Sequence, residues 1–440
     1  MPTKTPNAGR LLQVLGTGFG LAVIIGNTIG AGILRAPGQI AAWLPSPWLF
    51  LTAWVLGGFY ALLGAISVAE LATAIPVSGG QYVFARRALG PYAGFIVGWT
   101  DWLATCGSAA AVSILIGEYS GALFKNLLGK TTATAAFVVL LFALLQWRGI
   151  RWGSSIQNIT SSLKAVGFLA LVIACFTLAN RAPSQPAAAS TAGSTSLLVG
   201  FVLALQAVIF TYDGWTGVIY FSEEVRNPGR NIPRALFGGV LSIIGIYLLI
   251  NLALLYVLPI AQLAGKTLAV GAAAEVVFGR YGDTVVRSLT VMSMLSGINA
   301  YHLMASRILF SMSRDGLFSK TAVKVNSGGT PTISLACGTA VALFFTLTGT
   351  FEKIIAVLAF FFVAAYALSF LSLFVLRRRE PDLNRPYRAW GYPWTTGIAL
   401  AGSICFLLGA IKEDTGNSVN ALLLLAASYP VYLLMKRMKA

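Results

Sequence analysis

The residues best placed to do chemistry in this 440-residue chain are one lysine and two glycine-broken apolar stretches. Gly26-Asn27-Thr28-Ile29-Gly30-Ala31-Gly32-Ile33-Leu34 interrupts the first apolar run. Each glycine weakens a helix by roughly 1 kcal/mol relative to alanine. Amides freed at Gly30, Ala31 and Gly32 are suited to an anionic group, helped by the positive end of the helix that restarts after them. Phe210-Thr211-Tyr212-Asp213-Gly214-Trp215-Thr216-Gly217 interrupts a second run. Carbonyls around Ile25, Gly26 and Phe210 to Asp213 are suited to an ammonium. Together the two stretches offer both halves of a clamp for an α-amino acid. Asp213 either binds the ammonium directly or caps amides freed by its own break. Tyr212 has a hydroxyl to offer the site. Close helix packing is the bland account of the glycines, and the second break argues against it.

Lys164 lies inside a run that starts at 154. At about 1.5 Å per residue it is roughly 15 Å deep, near the middle of a ~30 Å hydrocarbon core. A lysine there is costly and reads as functional. The competing account is a structural amine that caps carbonyls of the broken first helix. A buried amine is also a candidate proton carrier.

These residues need long helices to hold them. Apolar residues make up 57% of the chain and charged ones 10%. Runs near the roughly 20 residues a crossing helix requires fall at 12–40, 47–75, 88–123, 131–148, 154–179, 197–221, 234–258, 285–312, 332–349, 353–376, 393–411 and 418–436. The sequence therefore predicts an all-α integral membrane protein of twelve helices. The runs are too long for barrel strands and lack alternation. In lipid, backbone that leaves the helical ladder is tolerated only against protein or a water-filled cavity. Two broken segments in corresponding halves mark the binding site of a secondary transporter. The expected organisation is one membrane domain, with inverted repeats at 1–180 and 197–377 and two further helices within 393–436. Residues 181–196 read as a flexible linker by composition.

The net charge of +17 is a matter of sidedness rather than nucleic-acid binding. Twenty Lys and Arg residues fall in segments on the N-terminal side, including Arg86, Arg226, Arg314 and Arg377 to Arg379, against eight opposite. This bias predicts a multi-pass cell-membrane protein with both termini in the cytoplasm. The first run is too long for a signal peptide. Cys106, Cys175, Cys337 and Cys405 all fall within spans and read as small buried apolar residues. No nucleophile–base pair or metal-ligand cluster points to an enzyme, and no cofactor is expected. Glu70 and Arg307 read as structural ion-pair members near span ends. His302, the single histidine, reads as a hydrogen-bonded structural residue, and Asp101 has no assigned role.

Four motifs resemble the amino acid–polyamine–organocation superfamily, in its L-type-like branch. Gly30-Ala31-Gly32-Ile33-Leu34 is similar to that family's Gly-Ser-Gly-Ile-Phe, with Ala and Leu as departures. Phe210 to Trp215, Glu223-Glu224-Val225 through Arg234, and Arg385-Pro386-Tyr387-Arg388 follow in the family's order. The resemblance spans nearly the whole chain. It implies a LeuT-type 5+5 inverted repeat with discontinuous helices 1 and 6, alternating access and amino acid transport. It implies substrate contacts at Ile29 to Gly32 and at Phe210, Thr211, Tyr212, Asp213 and Gly214, with Phe210 as an aromatic gate. It also implies that Lys164 takes the place of a sodium ion, so transport should be sodium-independent. The expected activity is exchange of small or mid-sized neutral L-amino acids. Proton symport and cationic amino acid or polyamine transport are the alternatives, and a non-transporting sensor ranks below them. Animal heteromeric members bond a glycoprotein through a cysteine after span 3. The stretch Lys125 to Thr132 has none, so no covalent partner is expected.

Overall fold

The computed structural model describes residues 11–179, 196–348, 351–413 and 415–437. Apart from Ser196, the expected linker lies outside them, as does the tail up to Arg10. The first apolar run folds as two helices, α1 (Thr17–Thr28) and α2 (Ala31–Trp43), bent by 46°. Then come α3 (Pro47–Ala74), the short α4 (Gln81–Leu89), α5 (Pro91–Leu123), α6 (Thr131–Trp147) and α7 (Ile150–Leu178). α8 (Leu197–Tyr212) stops at the second break, and a 3-10 turn at Gly217–Phe221 carries the chain onward. α9 (Pro228–Val257), α10 (Ile260–Leu263), α11 (Ala269–Phe278) and α12 (Gly282–Arg314) follow. The chain closes with α13 (Thr332–Thr348), α14 (Phe351–Arg379), α15 (Trp394–Glu413) and α16 (Thr415–Arg437).

Each expected span overlaps one of these helices or a broken pair. Several begin earlier than their apolar run: α9 starts at Pro228 rather than 234, and α7 at Ile150 rather than 154. Proline opens α3, α5 and α9, where its missing amide costs nothing. Among the described residues, seven helices are long and apolar enough to cross a membrane, or eight counting the bent pair. α12 has 33 residues but modest apolarity. Its polar side chains Ser293, Ser296, Asn299, His302 and Ser306 are buried in the bundle, so none needs lipid to accept it.

α7 shows how such a helix is sorted. Ile159, Leu163, Val166 and Ile173 face outward, while Gln157, Ser161, Lys164 and Phe168 are buried. The inward positions recur every three or four residues, which keeps them on one face of the helix.

The Arg-rich end of the bundle is knitted shut. The amide of Leu15 donates to the Glu224 carbonyl at 2.9 Å, and that of Arg226 to the Leu15 carbonyl at 2.8 Å. Glu224 accepts from Arg307 at 3.0 and 3.1 Å, with both side chains almost fully buried. Glu70 takes Arg377, Arg385 and the Ala389 amide. Arg86 meets Asp315 and Arg314 meets Glu223. Glu70 and Arg307 thus sit in ion pairs, as expected.

Candidate substrate site at the two helix breaks

α1 ends at Thr28, Ile29 is extended, and Gly30 opens α2 with no side-chain cap. The first amides of a helix have no partner within it, and those of Gly30, Ala31 and Gly32 stand at this uncapped start. The carbonyls left at the break are met by side chains. Lys164, wholly buried, donates from Nζ to the Gly26 carbonyl at 2.7 Å and to the Ile29 carbonyl at 2.6 Å. Ser293 adds a bond to the Ile29 carbonyl at 3.1 Å and Ser296 one to Gly26 at 3.4 Å.

The second break lies against the first. Tyr247 of α9 places its hydroxyl 2.8 Å from the Thr28 carbonyl and 3.0 Å from the Thr211 carbonyl, so one group serves both. Asn27 Nδ2 donates to the Gly214 carbonyl at 3.3 Å. A Cβ on Gly32 would stand 3.0 Å from Thr211 Cγ2, which brings α2 and α8 close together. Asp213 receives the Tyr366 hydroxyl and the Gly214 backbone amide. This arrangement fits the capping account of Asp213, and the carboxylate still reaches the cavity below.

Between the breaks lies a cavity of about 760 Å³, within the range of small-molecule sites. It runs along α2 from Gly30 past Arg35 to Gln39 and reaches the loop at Gly265 to Thr267. Ile29, Gly30, Ala31, Gly32, Lys164, Phe210, Thr211 and Asp213 all line it. Ser108 and Val112 of α5, Met294 and Tyr301 of α12, and Phe362 of α14 add to the wall.

Two expected site residues point elsewhere. Tyr212 packs between Trp54 and Tyr247, ring centroids 6.2 and 5.0 Å away, and its hydroxyl lies against Gly58 with no hydrogen-bond partner. It does not line the cavity, because the last turn of α8 aims it at α3. Gly214 is not a lining residue either. It has φ +104°, and a Cβ there would press at 3.0 Å on the Asn27–Thr28 peptide. Its role is close backbone approach, which a side chain would block. Two of the carbonyls expected to receive an ammonium, Gly26 and Thr211, already accept from Lys164 and Tyr247.

The hydroxyl of Tyr212 therefore offers a sharp check. If transport is the activity, as the sequence resemblance implies, Tyr212→Phe should leave it within about twofold, because it removes a buried hydroxyl that has no bond to lose. A loss beyond tenfold in vesicle uptake would return Tyr212 to the site.

Tyr247, Asn27, Ser293 and Arg35 escape the sequence reading. The available signal was polar groups in mid-run, with Ser293 and Ser296 three apart on one helix face. Asp101 accepts the Tyr220 hydroxyl at 3.0 Å on both oxygens, tying α5 to the 3-10 turn. Nδ1 of His302 lies 2.9 Å from the Ile298 carbonyl, and the ring is not part of the cavity wall.

The model of one family, described as amino acid permease, matches residues 19–429. The chain is 29% identical to the serine/threonine exchanger SteT of Bacillus subtilis, over 98% of each. It is 28% identical to the Asc-type amino acid transporter 1 of Mus musculus, covering 86% of this chain and 73% of that one. It is 27% identical to the mouse b(0,+)-type amino acid transporter 1, covering 86% and 79%.

Proposed function

Since the chain belongs to the amino acid permease family, a family of transporters rather than enzymes, we propose that it exchanges neutral L-amino acids across the cytoplasmic membrane without sodium. The observation that carries this reading is the shared cavity. The uncapped start of α2 at Gly30 to Gly32 and the second break at Phe210 to Asp213 both line it. The α-carboxylate is assigned to the amides of Gly30, Ala31 and Gly32, and the ammonium to backbone carbonyls of the two breaks and to Asp213. Phe210 is the gate over the bound molecule. The names of the relatives, an exchanger and two amino acid transporters, support this direction.

Lys164 is proposed as the fixed cation that stands where a sodium-coupled transporter would hold its ion. Its ammonium already satisfies the carbonyls at the break. The proposed architecture has twelve spans, with repeats at 1–180 and 197–377 and helices 11 and 12 outside them. The basic excess orients both termini to the cytoplasm. On that orientation the knitted Arg-rich end is the inner side, and the cavity opens outward. No covalent partner is needed.

Counterflow in proteoliposomes tests the reading. Radiolabelled alanine or serine should enter vesicles preloaded with unlabelled amino acid and enter empty ones poorly. Replacing sodium by choline should change neither rate. Uptake into empty vesicles that follows an imposed pH gradient would make the protein a proton symporter instead. Collapse of uptake without sodium would remove Lys164 from the role assigned to it.

A further inference from the structure

The Arg-rich end of the bundle leaves a group of guanidiniums unmatched after its ion pairs are made. Glu70, Glu223, Glu224, Asp315 and Glu380 are each taken by another arginine. Arg230, Arg234 and Arg388 are exposed. Among the described residues their side chains enter no ion pair or hydrogen bond. Packing brings the three together. A Cβ on Gly229 would stand 2.9 Å from Pro386, and the Phe237 ring stacks on Trp390 with centroids 5.4 Å apart. The segment from Pro386 to Trp390 therefore runs alongside the first turns of α9, in the same direction. Eight residues of helix rise about 12 Å, and four residues of chain reach up to about 13 Å, so the two keep step. Arg388, halfway along, comes level with the stretch between Arg230 and Arg234. Those two share a face of α9 with Leu241, which is 55% exposed. The outward stripe of α9 is thus basic at its start and apolar beyond. At that border stands Trp390, 64% exposed, and Trp394 at the start of α15 is 77% exposed.

We infer that Arg230, Arg234 and Arg388 bind the phosphate headgroup of an anionic phospholipid, with Trp390 and Trp394 beside its glycerol region and Leu241 against its acyl chains. The planar fork of a guanidinium matches phosphate oxygens in pairs. An indole, apolar with one polar edge, suits the boundary between headgroups and hydrocarbon. A free phosphate would find the guanidiniums and have no use for the indoles or the apolar stripe, and this commits the site to a lipid. On the proposed orientation the site faces the cytoplasmic leaflet, where anionic lipids attract basic segments next to the membrane. The site is independent of which substrate crosses, and needs only that the chain lie in a bilayer.

The test titrates dioleoyl-phosphatidylglycerol into the full-length protein in an uncharged detergent and follows the midpoint of thermal unfolding. A lipid that binds the folded state raises that midpoint, and the concentration giving half the rise should grow severalfold from low to high salt. Dioleoyl-phosphatidylcholine should need about tenfold more, and inorganic phosphate at the same concentrations should have no effect. Arg230→Gln, Arg234→Gln and Arg388→Gln should each raise the half-effect concentration about fivefold, and together on the order of a hundredfold. The triple control Arg151→Gln/Lys320→Gln/Lys324→Gln removes as much exposed charge from positions outside α9 and the 386–390 segment, and should titrate like the wild type. All six side chains are exposed, so the variants should fold, and each is compared by its lipid-induced rise rather than by its starting midpoint. An unchanged half-effect concentration in the Arg230/Arg234/Arg388 variant would overturn the site, as would an equal weakening in the control. So would phosphatidylcholine or free phosphate acting as well as phosphatidylglycerol, or a wild type that the anionic lipid does not stabilise.

Discussion

Lys164→Met should lower the proposed exchange by about 100-fold or more while leaving a protein that purifies as a single species. The substitution keeps the length and apolar stem of the side chain and removes three donors. The Gly26 and Ile29 carbonyls then lose bonds of 2.7 and 2.6 Å and keep only Ser296 at 3.4 Å and Ser293 at 3.1 Å. A hydrogen bond to a charged group contributes about 1.5–3 kcal/mol, and an unpartnered buried acceptor is costly besides. Losing two such bonds therefore removes roughly 3–6 kcal/mol of local order. About 2.8 kcal/mol of that, felt at the amides of Gly30 to Gly32, accounts for the expected loss, since 1.4 kcal/mol corresponds to about tenfold in affinity. Counterflow with labelled alanine reads the result. Retention of exchange within about threefold would show that the break holds its shape without the ammonium.

Glu224→Ala is the second large effect, and it should appear as instability. Glu224 and Arg307 are almost fully buried, and their two bonds are 3.0 and 3.1 Å. Deleting the carboxylate leaves a buried guanidinium whose remaining hydrogen bond among the described residues goes to the Ser306 hydroxyl at 3.0 Å. Breaking a buried pair from one side costs about 3–5 kcal/mol, whereas replacing both members with apolar residues is often nearly neutral. Thermal unfolding in detergent should therefore rank the wild type first, Glu224→Ala/Arg307→Met next and Glu224→Ala last. A double variant no better than the single would mean that Glu224 acts through its surroundings rather than through Arg307. The pair also flanks the backbone contact between Leu15 and Glu224, so loosening it should reach the start of α1.

The helices and both breaks were legible in the sequence for physical reasons. Gly30 to Gly32 weakens one run at the point where α2 begins, and Asp213-Gly214 stops α8 one residue earlier, at Tyr212. Lys164 announced itself by depth alone. Capping of carbonyls in the broken first helix was one account the sequence offered for it, but that Gly26 and Ile29 supply them depends on where the helix lets go. Tyr212 and Gly214 were misplaced for a related cause. The rotation of a chain as it leaves a helix decides which neighbour meets the cavity, and one residue of slip moves a side chain through about 100°. Here that rotation gives Asp213 to the cavity and Tyr212 to α3. Tyr247 looked like one more apolar-run aromatic, since its value lies in meeting Thr28 and Thr211 at once. α4, α10 and α11 went unseen because helices of 9, 4 and 10 residues have too few apolar positions to read as crossings.

The 46° bend between α1 and α2 places the end of one helix beside the beginning of another. The partial negative charge of the first terminus and the partial positive charge of the second thus sit side by side, a matrix with the same polarity as a zwitterion. In the proposed reading the backbone supplies the recognition of what all amino acids share. Esters and N-acyl derivatives, which lack one pole, should find no purchase there. In that reading the part of the molecule that varies is met instead by Ser108, Val112, Met294, Tyr301 and Phe362, which line the same cavity from other helices. On this reading, point substitutions at these positions of α5, α12 and α14 should change which side chain is accepted while the grip on the zwitterion stays as it was.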